Sequence, residues 1–335
     1  MRILAAPDKF RGTATAAEVA AAVDAAGRTV GATTRTVPMS DGGEGFLEVF
    51  GGANRSTTVT GPLGAPVDAG WRLSGKVAVI EMARASGLAL AGGAEGNDPI
   101  AAATAGTGEL IAAALDAGAR RIFVGHGGSA TTDGGLAALR ALFPAARLKG
   151  VELVAAVDVH TPFLAAADVF GAQKGASASQ VELLRRRLER LAQVYLEDYG
   201  VDVTDIPGSG AAGGLAGGLA AIGAAIVPGF DLVADEVDLY DHLEGADLVV
   251  TGEGFIDEQS FDGKVVGGVA ELAAEAGVPV LAIAGEVFDG VGDRLDSRSG
   301  GTVSLVERFG AERSRVATTD LITEVVADHL DLLRA

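Results

Sequence analysis

The sequence predicts an α/β protein in which a parallel, Rossmann-like sheet domain carries a second, mixed α/β domain inserted in it. Short apolar runs occur at both ends of the chain, and Ala-rich segments of helical length separate most of them. The middle of the chain has a different pattern, with strand-like runs joined by Gly- and Pro-containing turns. At 335 residues, 48% of them hydrophobic, the chain is long enough for two domains, each with its own core.

The elements follow from the apolar runs in order. Continuous apolar runs such as 247–251 and 278–284 are typical of parallel strands buried on both faces. The terminal parts of the chain are predicted to form strands at 2–6, 36–39, 247–251, 278–284 and 301–306, and helices at 16–27, 265–277 and 319–333. A β-meander is predicted at 55–60, 67–73 and 77–81. We therefore expect residues 1–55 and 240–335 to form the Rossmann-like domain and residues 56–239 to form the inserted domain.

Charge and composition exclude several classes of partner and site. The chain has 45 acidic and 26 basic residues, and a net charge of −19 repels nucleic acid and anionic membranes. The absence of Cys excludes disulfides, thiolate metal sites and a Cys nucleophile. The start shows no signal-peptide core, so a cytoplasmic location is expected. The uncharged run 208–230 is Ala- and Gly-rich, which favours a buried helix over a membrane span.

Polar residues follow four of the predicted strands. Ligands of open α/β sheets bind beyond the carboxyl ends of the strands, so these residues are candidates for one site. Carboxylates combined with Lys or Arg suit Mg²⁺-assisted phosphoryl transfer. The alternative is ordinary turn and helix-cap chemistry. The residues are Asp8, Lys9 and Arg11 after the first strand, Asp41 and Glu44 after the second, Gly252, Glu253 and Asp257 after the third, and Glu286 after the fourth.

Roles for these residues follow from their chemistry. Asp41 or Asp257 is expected to hold Mg²⁺. Arg11 is expected to clamp a substrate carboxylate with its planar guanidinium, and the alternative is a salt bridge to Asp8 or Glu44. Asp8 would then take the proton from the attacking hydroxyl.

A second candidate lies in the inserted domain, where the predicted strand 121–125 leads through a Gly- and hydroxyl-rich loop into a helix. Bare Gly amides and flanking hydroxyls suit a phosphate, and the alternative is a capped helix start. His126, directly after the strand, is the one histidine with a functional claim. A P-loop is absent because Val265 follows Gly263-Lys264, and the G-x-G-x-x-G at 208–213 lacks a preceding strand.

Seven motifs, in order along nearly the whole chain, resemble the bacterial glycerate kinases of the glycerate 2-kinase type. They are APDKFRGT (6–13), SDGGEG (40–45), GTGELI (106–111), GGSATTDGG (127–135), VFGAQKGA (169–176), GAAGGL (210–215), and TGEG (251–254) with Ile256-Asp257 and Gly263-Lys264. The resemblance implies ATP-dependent, Mg²⁺-assisted phosphorylation of the 2-hydroxyl of glycerate by a two-domain α/β protein.

The expected site residues fall within these motifs. They are Asp8, Arg11, Asp41 and Lys264 as catalytic residues; Lys9, Arg11, Glu44 and Lys174 for the substrate; Gly127, Gly128, Ser129, Asp133, Gly252 and Glu253 for phosphate or nucleotide; and Asp41 and Asp257 for metal.

Departures from the family pattern leave alternatives for the function. The family usually has Ser at Lys9, Thr at Phe46, Asn at Thr132 and Arg at Phe255. A kinase for another small hydroxy acid or polyol is therefore one alternative, and a catalytically silent metabolite-binding protein is the other. Retention of several acidic residues in a chain already at −19 argues against the silent protein.

Overall fold

The computed structural model describes residues 1–261, 264–288 and 301–334, with only the backbone described at 258 and 259. These residues divide into two compact units. The first unit contains residues 1–41 and 230–335, and the second contains residues 42–229. The second unit is thus an insertion in the first, as the sequence predicts. The residues at which the domains were expected to divide, 55/56 and 239/240, stay a prediction.

Strands and helices alternate through most of the described chain. The strands are β1 Arg2–Ala5, β2 Thr33–Thr36, β3 Arg55–Thr60, β4 Pro66–Ser74, β5 Val77–Glu81, β6 Arg121–Gly125, β7 Glu152–Val157, β8 Ala225–Pro228, β9 Leu248–Ile256, β10 Val280–Val287 and β11 Gly301–Ser304. The α-helices are α1 Ala16–Thr29, α2 Phe46–Val49, α3 Ala83–Ser86, α4 Gly93–Gly96, α5 Ala105–Asp116, α6 Leu136–Leu142, α7 Ala166–Phe170, α8 Ala178–Tyr199, α9 Ala211–Ala221, α10 Gly229–Glu236, α11 Leu239–Leu243, α12 Val265–Glu275, α13 Leu305–Phe309, α14 Ala311–Val316 and α15 Thr318–Leu332.

The first unit is built on a parallel sheet with the strand order β11-β10-β9-β1-β2. Helix α1 begins with a capping box, in which Thr15 and Glu18 satisfy each other's backbone N–H groups. Its Ala- and Val-rich face packs against α15 and the sheet, and Val23 and Ile322 are fully buried in that core. Small apolar side chains let these helices lie close to the strands.

The second unit is built on a mixed sheet with the order β3-β4-β5-β6-β7-β8. The pairs β3/β4 and β4/β5 are antiparallel, as the predicted meander requires, and the remaining pairs are parallel. Its core contains Trp71, Phe163 and Tyr195 among many Ala and Leu side chains. The Tyr195 hydroxyl satisfies its buried donor by bonding the carbonyl of Gly134 at 2.8 Å.

The second strand begins and ends earlier than the sequence predicts. The expected strand at 36–39 is replaced by β2 at Thr33–Thr36, and residues 37–40 continue as extended chain outside the sheet. Val37 and Met39 still donate to the carbonyls of Ala5 and Pro7, at 2.8 and 2.9 Å. Pro7 has no N–H to donate to the Val37 carbonyl in return, so the regular ladder ends there.

The uncharged run 208–230 forms a short helix and a strand instead of one buried helix. Helix α9 is fully buried over its 11 residues, and β8 follows it. A kink interrupts α9, where Ala212, Gly213 and Gly214 have φ values of 53°, 67° and 89°. In the described part of the chain, every helix is too short or too polar to cross a membrane.

The kink at Gly213 generates a stability prediction. A Cβ at Gly213 would clash with the carbonyl oxygen of Thr131, whereas Gly223, also at positive φ (+102°), has open space around it. Gly213→Ala should lower the free energy of unfolding by about 3 kcal/mol or more, because it adds a backbone clash to the strain at positive φ. Gly223→Ala, which adds the strain alone, should cost about 1 kcal/mol. Urea denaturation of both variants measures this, and equal losses would contradict the role of the contact.

Candidate functional site

The order of the parallel sheet marks where a ligand is expected. From β1 the chain moves to β2 on one side, and from β9 it moves through β10 to β11 on the other side. Strands β1 and β9 therefore flank the point where the direction of winding reverses. In sheets of this kind, ligands bind at that point, beyond the carboxyl ends of the strands.

Backbone bonds fix the residues that follow these two strands. Beyond the end of β1, the Ala6 and Asp8 N–H groups donate to the carbonyls of Val250 and Gly252, both at 2.9 Å. The Thr251 hydroxyl donates to the carbonyl of Ala6 at 2.8 Å. The loop after β1 is thereby held beside the second half of β9, which brings Asp8 next to the segment that carries Glu253.

Asp8 and Asp41 form a buried carboxylate pair with Lys9 between them. The two aspartates are 4% and 8% exposed. The Lys9 ammonium lies 3.5 Å from Asp8 Oδ1 and 4.0 Å from Asp41 Oδ1. Burial and the nearby Asp41 charge raise the pKa of Asp8 to about 7, against the opposing effect of Lys9. Asp8 therefore changes charge near neutral pH.

Glu253 extends this cluster along β9. Its pKa is raised to about 7 by burial, against the opposing effects of a Ser260 hydrogen bond and the Lys264 charge. Repulsion from Asp41 and Asp257 also raises it. Glu253 Oε1 is buried without a hydrogen-bond partner in the described structure. An acceptor in that state is costly unless a ligand or ion meets it.

Asp257 directly precedes a 3₁₀ turn at Glu258–Phe261. The Asp257 carboxylate accepts from the Ser260 N–H at 3.1 Å, and the Ser260 hydroxyl accepts from the Asp257 N–H at 3.1 Å. Lys264 is the residue that precedes the first turn of α12. The structure thus brings five sequence-predicted residues of the first unit into one cluster with Lys9: Asp8, Asp41, Glu253, Asp257 and Lys264. Gly263, the other half of the Gly263-Lys264 motif, lies outside the described residues.

Gly252 and Arg11 were also predicted site residues, but they are not members of this cluster. A Cβ at Gly252 would clash with the carbonyl of Ile283 on β10, so this glycine permits close strand pairing and needs no nucleotide to explain it. Arg11 is exposed and forms no ion pair with Asp8 in the described structure. The other alternative, a salt bridge to Glu44, stays a prediction. It lines a surface cavity, described below, together with Gly254 and Phe255.

The second unit holds the other candidate group, centred on Lys174. Its ammonium is 3% exposed and donates to Ser129 Oγ and to the Thr131 carbonyl, both at 2.7 Å. Burial lowers the pKa of Lys174 to about 7, against the opposing effect of Asp133. Asn97 supports the group from α4's C-terminal end by donating to the carbonyls of Ala130 and Lys174. A buried lysine thus anchors the loop that the sequence predicted to hold phosphate.

The two glycines of this loop have distinct constraints. A Cβ at Gly127 would clash with Gly43, and Gly128 has a positive φ of 69°. Both positions therefore require glycine for backbone reasons alone.

Glu44 is exposed in the same unit. Burial is the main cause that raises the pKa of the buried Glu81, and the negative charge of Glu44 raises it further.

Asp133 has a structural role that the sequence did not predict. Its carboxylate accepts from the Thr104 N–H and hydroxyl, at 3.0 and 2.8 Å. It also accepts from the N–H groups of Gly135 and Ala137 at the start of α6, at 3.2 and 3.3 Å. These bonds join the starts of α5 and α6 and use both carboxylate oxygens. A carboxylate so engaged holds the loop in shape. The expected phosphate contact of Asp133 stays a prediction.

His126 is buried and uncharged at neutral pH, because burial lowers its pKa to about 4. Nδ1 lies 2.8 Å from the Val124 carbonyl, so Nδ1 must carry the proton and Nε2 is an acceptor. That Nε2 has no hydrogen-bond partner among the described residues, and the same holds for the Thr132 hydroxyl. A bare acceptor suits a hydroxyl-bearing ligand and not a phosphate oxygen.

Sequence reasoning missed Ser260 and Asn97. Neither stands out in the sequence, because each acts through a contact that only the folded chain creates. Across the described ranges, no group of three or more Asp, Glu or His side chains is arranged to hold a metal by itself. Any Mg²⁺ here would rely on one or two carboxylates and on substrate oxygens.

The family model described as the glycerate kinase family matches residues 3–143 and 144–332 of the chain. The chain is 40% identical over 332 residues to glycerate 2-kinase of Escherichia coli (strain K12), with 87% of each chain covered. It is 37% identical over 368 residues to glycerate kinase of Halalkalibacterium halodurans, with 98% of this chain and 97% of that protein covered.

A solved structure agrees over the full length. The crystal structure of a protein from Salmonella typhimurium LT2, provisionally assigned as glycerate kinase 2, superimposes with a TM-score of 0.80 at 34% identity. The alignment covers 100% of both chains. The resemblance seen in the sequence motifs therefore extends to the fold.

The raised pKa of Asp8 generates a pH-dependent stability prediction. Its pKa is about 7 in the folded chain against an ordinary value of 3.8, so the folded state binds more protons than the unfolded state between these values. Stability contributed by Asp8 is therefore lost as pH rises through this range. Asp8→Asn should regain about 1 kcal/mol at pH 8 and raise the melting temperature, measured in EDTA, by about 2–4 °C.

The gain should shrink as pH falls and disappear below about pH 4, where Asp8 is protonated in both states. Calorimetry at pH 8, 6 and 4 measures it, with the exposed Asp235→Asn as the control. A gain that is the same at all three pH values would contradict the burial of an ionised Asp8.

Proposed function

This chain belongs to the glycerate kinase family, and we propose that it transfers the γ-phosphoryl group of ATP to the 2-hydroxyl of glycerate. The observation that carries the proposal is the buried Asp8–Lys9–Asp41 group at the reversal point of the parallel sheet. A base and a charge-balancing cation at that point are what transfer to an alcohol requires.

Asp8 is the proposed general base. The substrate hydroxyl gives its proton to an Asp8 carboxylate oxygen while its own oxygen forms the new bond to the γ-phosphorus. The bond from the γ-phosphorus to its bridging oxygen breaks, and ADP leaves with that electron pair. A pKa of about 7 leaves a large ionised fraction at neutral pH and keeps Asp8 basic enough to accept the proton.

Lys9 is proposed to orient Asp8 and to offset the charge of the cluster. It lies within 4.0 Å of both aspartates, so it lowers the cost of holding two carboxylates in a buried place. The Lys9 N–H also donates to Asp8 Oδ1 at 2.7 Å, which leaves the other carboxylate oxygen for the substrate.

The carboxylates of the first unit fit Mg²⁺. Asp41 and Asp257 both act on Glu253, and Glu253 Oε1 is a buried acceptor without a partner. Hard carboxylate oxygens are the ligands that Mg²⁺ prefers, and one or two of them suffice when substrate phosphates complete the set. We propose Asp41 and Asp257 as these ligands. When bound, Mg²⁺ neutralises charge on the phosphates.

The loop of the second unit is proposed to bind a phosphate of the nucleotide. Ser129 and the Lys174 ammonium offer a hydroxyl and a cation beside backbone that only glycine can form at 127 and 128. ATP and a small acid are therefore the proposed ligands.

The cytoplasm is the proposed location of the protein.

A coupled assay of ADP formation tests the function. Purified protein with ATP and Mg²⁺ should turn over D-glycerate, and the product should be 2-phosphoglycerate when its isomer is identified. Other small hydroxy acids and polyols at the same concentration serve as the comparison. A faster reaction with one of them, or 3-phosphoglycerate as product, would overturn the substrate or the position assigned.

Asp8→Asn tests the base in the same assay. Turnover should fall by about 10²–10⁴-fold, because the amide cannot accept the proton, while both Michaelis constants change little. Asp235→Asn, an exposed residue of the same unit, is the control. Turnover within a few-fold of the parent protein would exclude Asp8 as the base.

The titration of Lys174 generates a binding prediction. Below a pH of about 7 the ammonium is charged and favours an anion; above it the charge is lost, so affinity for ADP should fall between pH 7 and 9. Lys174→Met should weaken ADP binding by about tenfold at pH 7 and remove most of this pH dependence. Calorimetric titration measures both, with the exposed Lys149→Met as control. An unchanged pH dependence in Lys174→Met would refute the assignment.

A further inference from the structure

A cavity of about 450 Å³ opens on the surface of the first unit beside the carboxylate cluster. Its walls come from the loop after β1, from the ends of β9 and β10, and from α13 and α14. The charged residues that line it are Arg11, Glu286 and Arg315. Arg315 lies on α14, and neither the motifs nor the strand ends of the sequence pointed to it.

The two arginines of this cavity have no anionic partner in the part of the chain that the structure describes. Among the described residues, neither Arg11 nor Arg315 makes an ion pair or a side-chain hydrogen bond. The Glu286 carboxylate oxygens lie more than 4.0 Å from the guanidinium nitrogens of both arginines. Other arginines of the same region are paired. Arg313, on the same helix as Arg315, lies 3.4 Å from Glu324, and Arg308 on α13 pairs with Asp328.

The chain makes unpaired cations at one place unexpected. Acidic residues outnumber basic ones by 45 to 26, so carboxylates are plentiful over the surface. Two guanidinium groups that line one cavity make it favourable for an anion. Planar guanidinium groups bind carboxylate and phosphate oxygens with paired hydrogen bonds.

We propose that Arg11 and Arg315 together form an anion subsite that binds a charged oxygen group of a substrate. The chemistry is the same for the carboxylate of the acid and for a phosphate of the nucleotide. Arg11 was the residue expected from the sequence to hold the substrate carboxylate; the shared cavity adds Arg315 beside it. This step rests on the proposed function for the identity of the two substrates.

The subsite adjoins the residues assigned to the reaction. An added Cβ at Gly254 would lie 3.2 Å from the Arg11 backbone nitrogen, so the cavity wall begins at the residue after Glu253. Arg11 is three residues from Asp8 along the loop, which limits the separation of their Cα atoms to about 11 Å. Arg11 of the subsite and the proposed base are therefore carried by the same loop.

The first test measures equilibrium binding without turnover. Calorimetric titrations of D-glycerate and of ADP, each alone, are made with the parent protein, Arg11→Ala, Arg315→Ala and the double variant. We expect one of the two ligands to lose about tenfold or more in affinity in both single variants, and the other to change less than twofold. The weakened ligand identifies the source of the anion.

Arg313→Ala is the matched control, since Arg313 lies on the same helix and is paired outside the cavity lining. It should bind both ligands like the parent protein.

A rescue variant combines Arg315→Ala with Phe255→Arg, because Phe255 lines the same cavity and is 53% exposed. An arginine there should restore part of the affinity lost in Arg315→Ala, which a merely structural role of Arg315 would not allow.

Three results would overturn the subsite: unchanged affinity for both ligands in Arg315→Ala, weakening of different ligands by the two single variants, or an equal loss in Arg313→Ala. Failure of the proposed function is a separate result. It would appear as absence of ADP formation by the parent protein with glycerate, whatever the binding titrations of the variants show.

Discussion

The pairing of β1 with β9 is the constraint on which the first unit depends. It joins Ile3 to Leu248 and Ala5 to Val250 across the whole inserted unit, and the two strands are buried throughout this pairing. The inserted residues enter and leave without breaking the sheet, because the chain departs beyond β2 and returns before β9. The same pairing carries the loop of Asp8 past the end of β1 and sets it against Gly252, so one set of backbone bonds determines both the fold and the place of the carboxylates.

Burial of the carboxylate cluster lowers the free energy of unfolding of the first unit, and the rest of the unit must compensate for this loss. Asp8 and Glu253 are buried near other negative groups, and the pKa of each is raised to about 7. Lys9 and Lys264 reduce that loss without cancelling it. A fold stabilised mainly by hydrophobic burial in α1, α15 and the parallel sheet tolerates such a cluster, and polar groups left short of partners are what a substrate or ion then satisfies.

In the second unit, glycine residues and one buried lysine hold the loop between β6 and α6 in place. This loop comes so close to neighbouring backbone that side chains are excluded at Gly127 and Gly213. Lys174, Asn97 and Asp133 then tie the loop to three other segments through buried hydrogen bonds. Lys174 offers positive charge to a ligand, whereas the carboxylate oxygens of Asp133 accept hydrogen bonds at the starts of two helices.

The sequence by itself determined the fold class, the inserted second unit, the β-meander and the residues beyond the strand ends, because apolar periodicity and turn residues are local signals. It also predicted Asp8, Asp41 and Glu253, which follow predicted strands, and Lys174, which falls in a motif of the family. Tertiary structure alone decided the kink in α9, the structural role of Asp133 and the shared cavity of Arg11 and Arg315. Each of these depends on groups far apart in the chain, and the spacing of residues along a sequence does not record which distant groups meet.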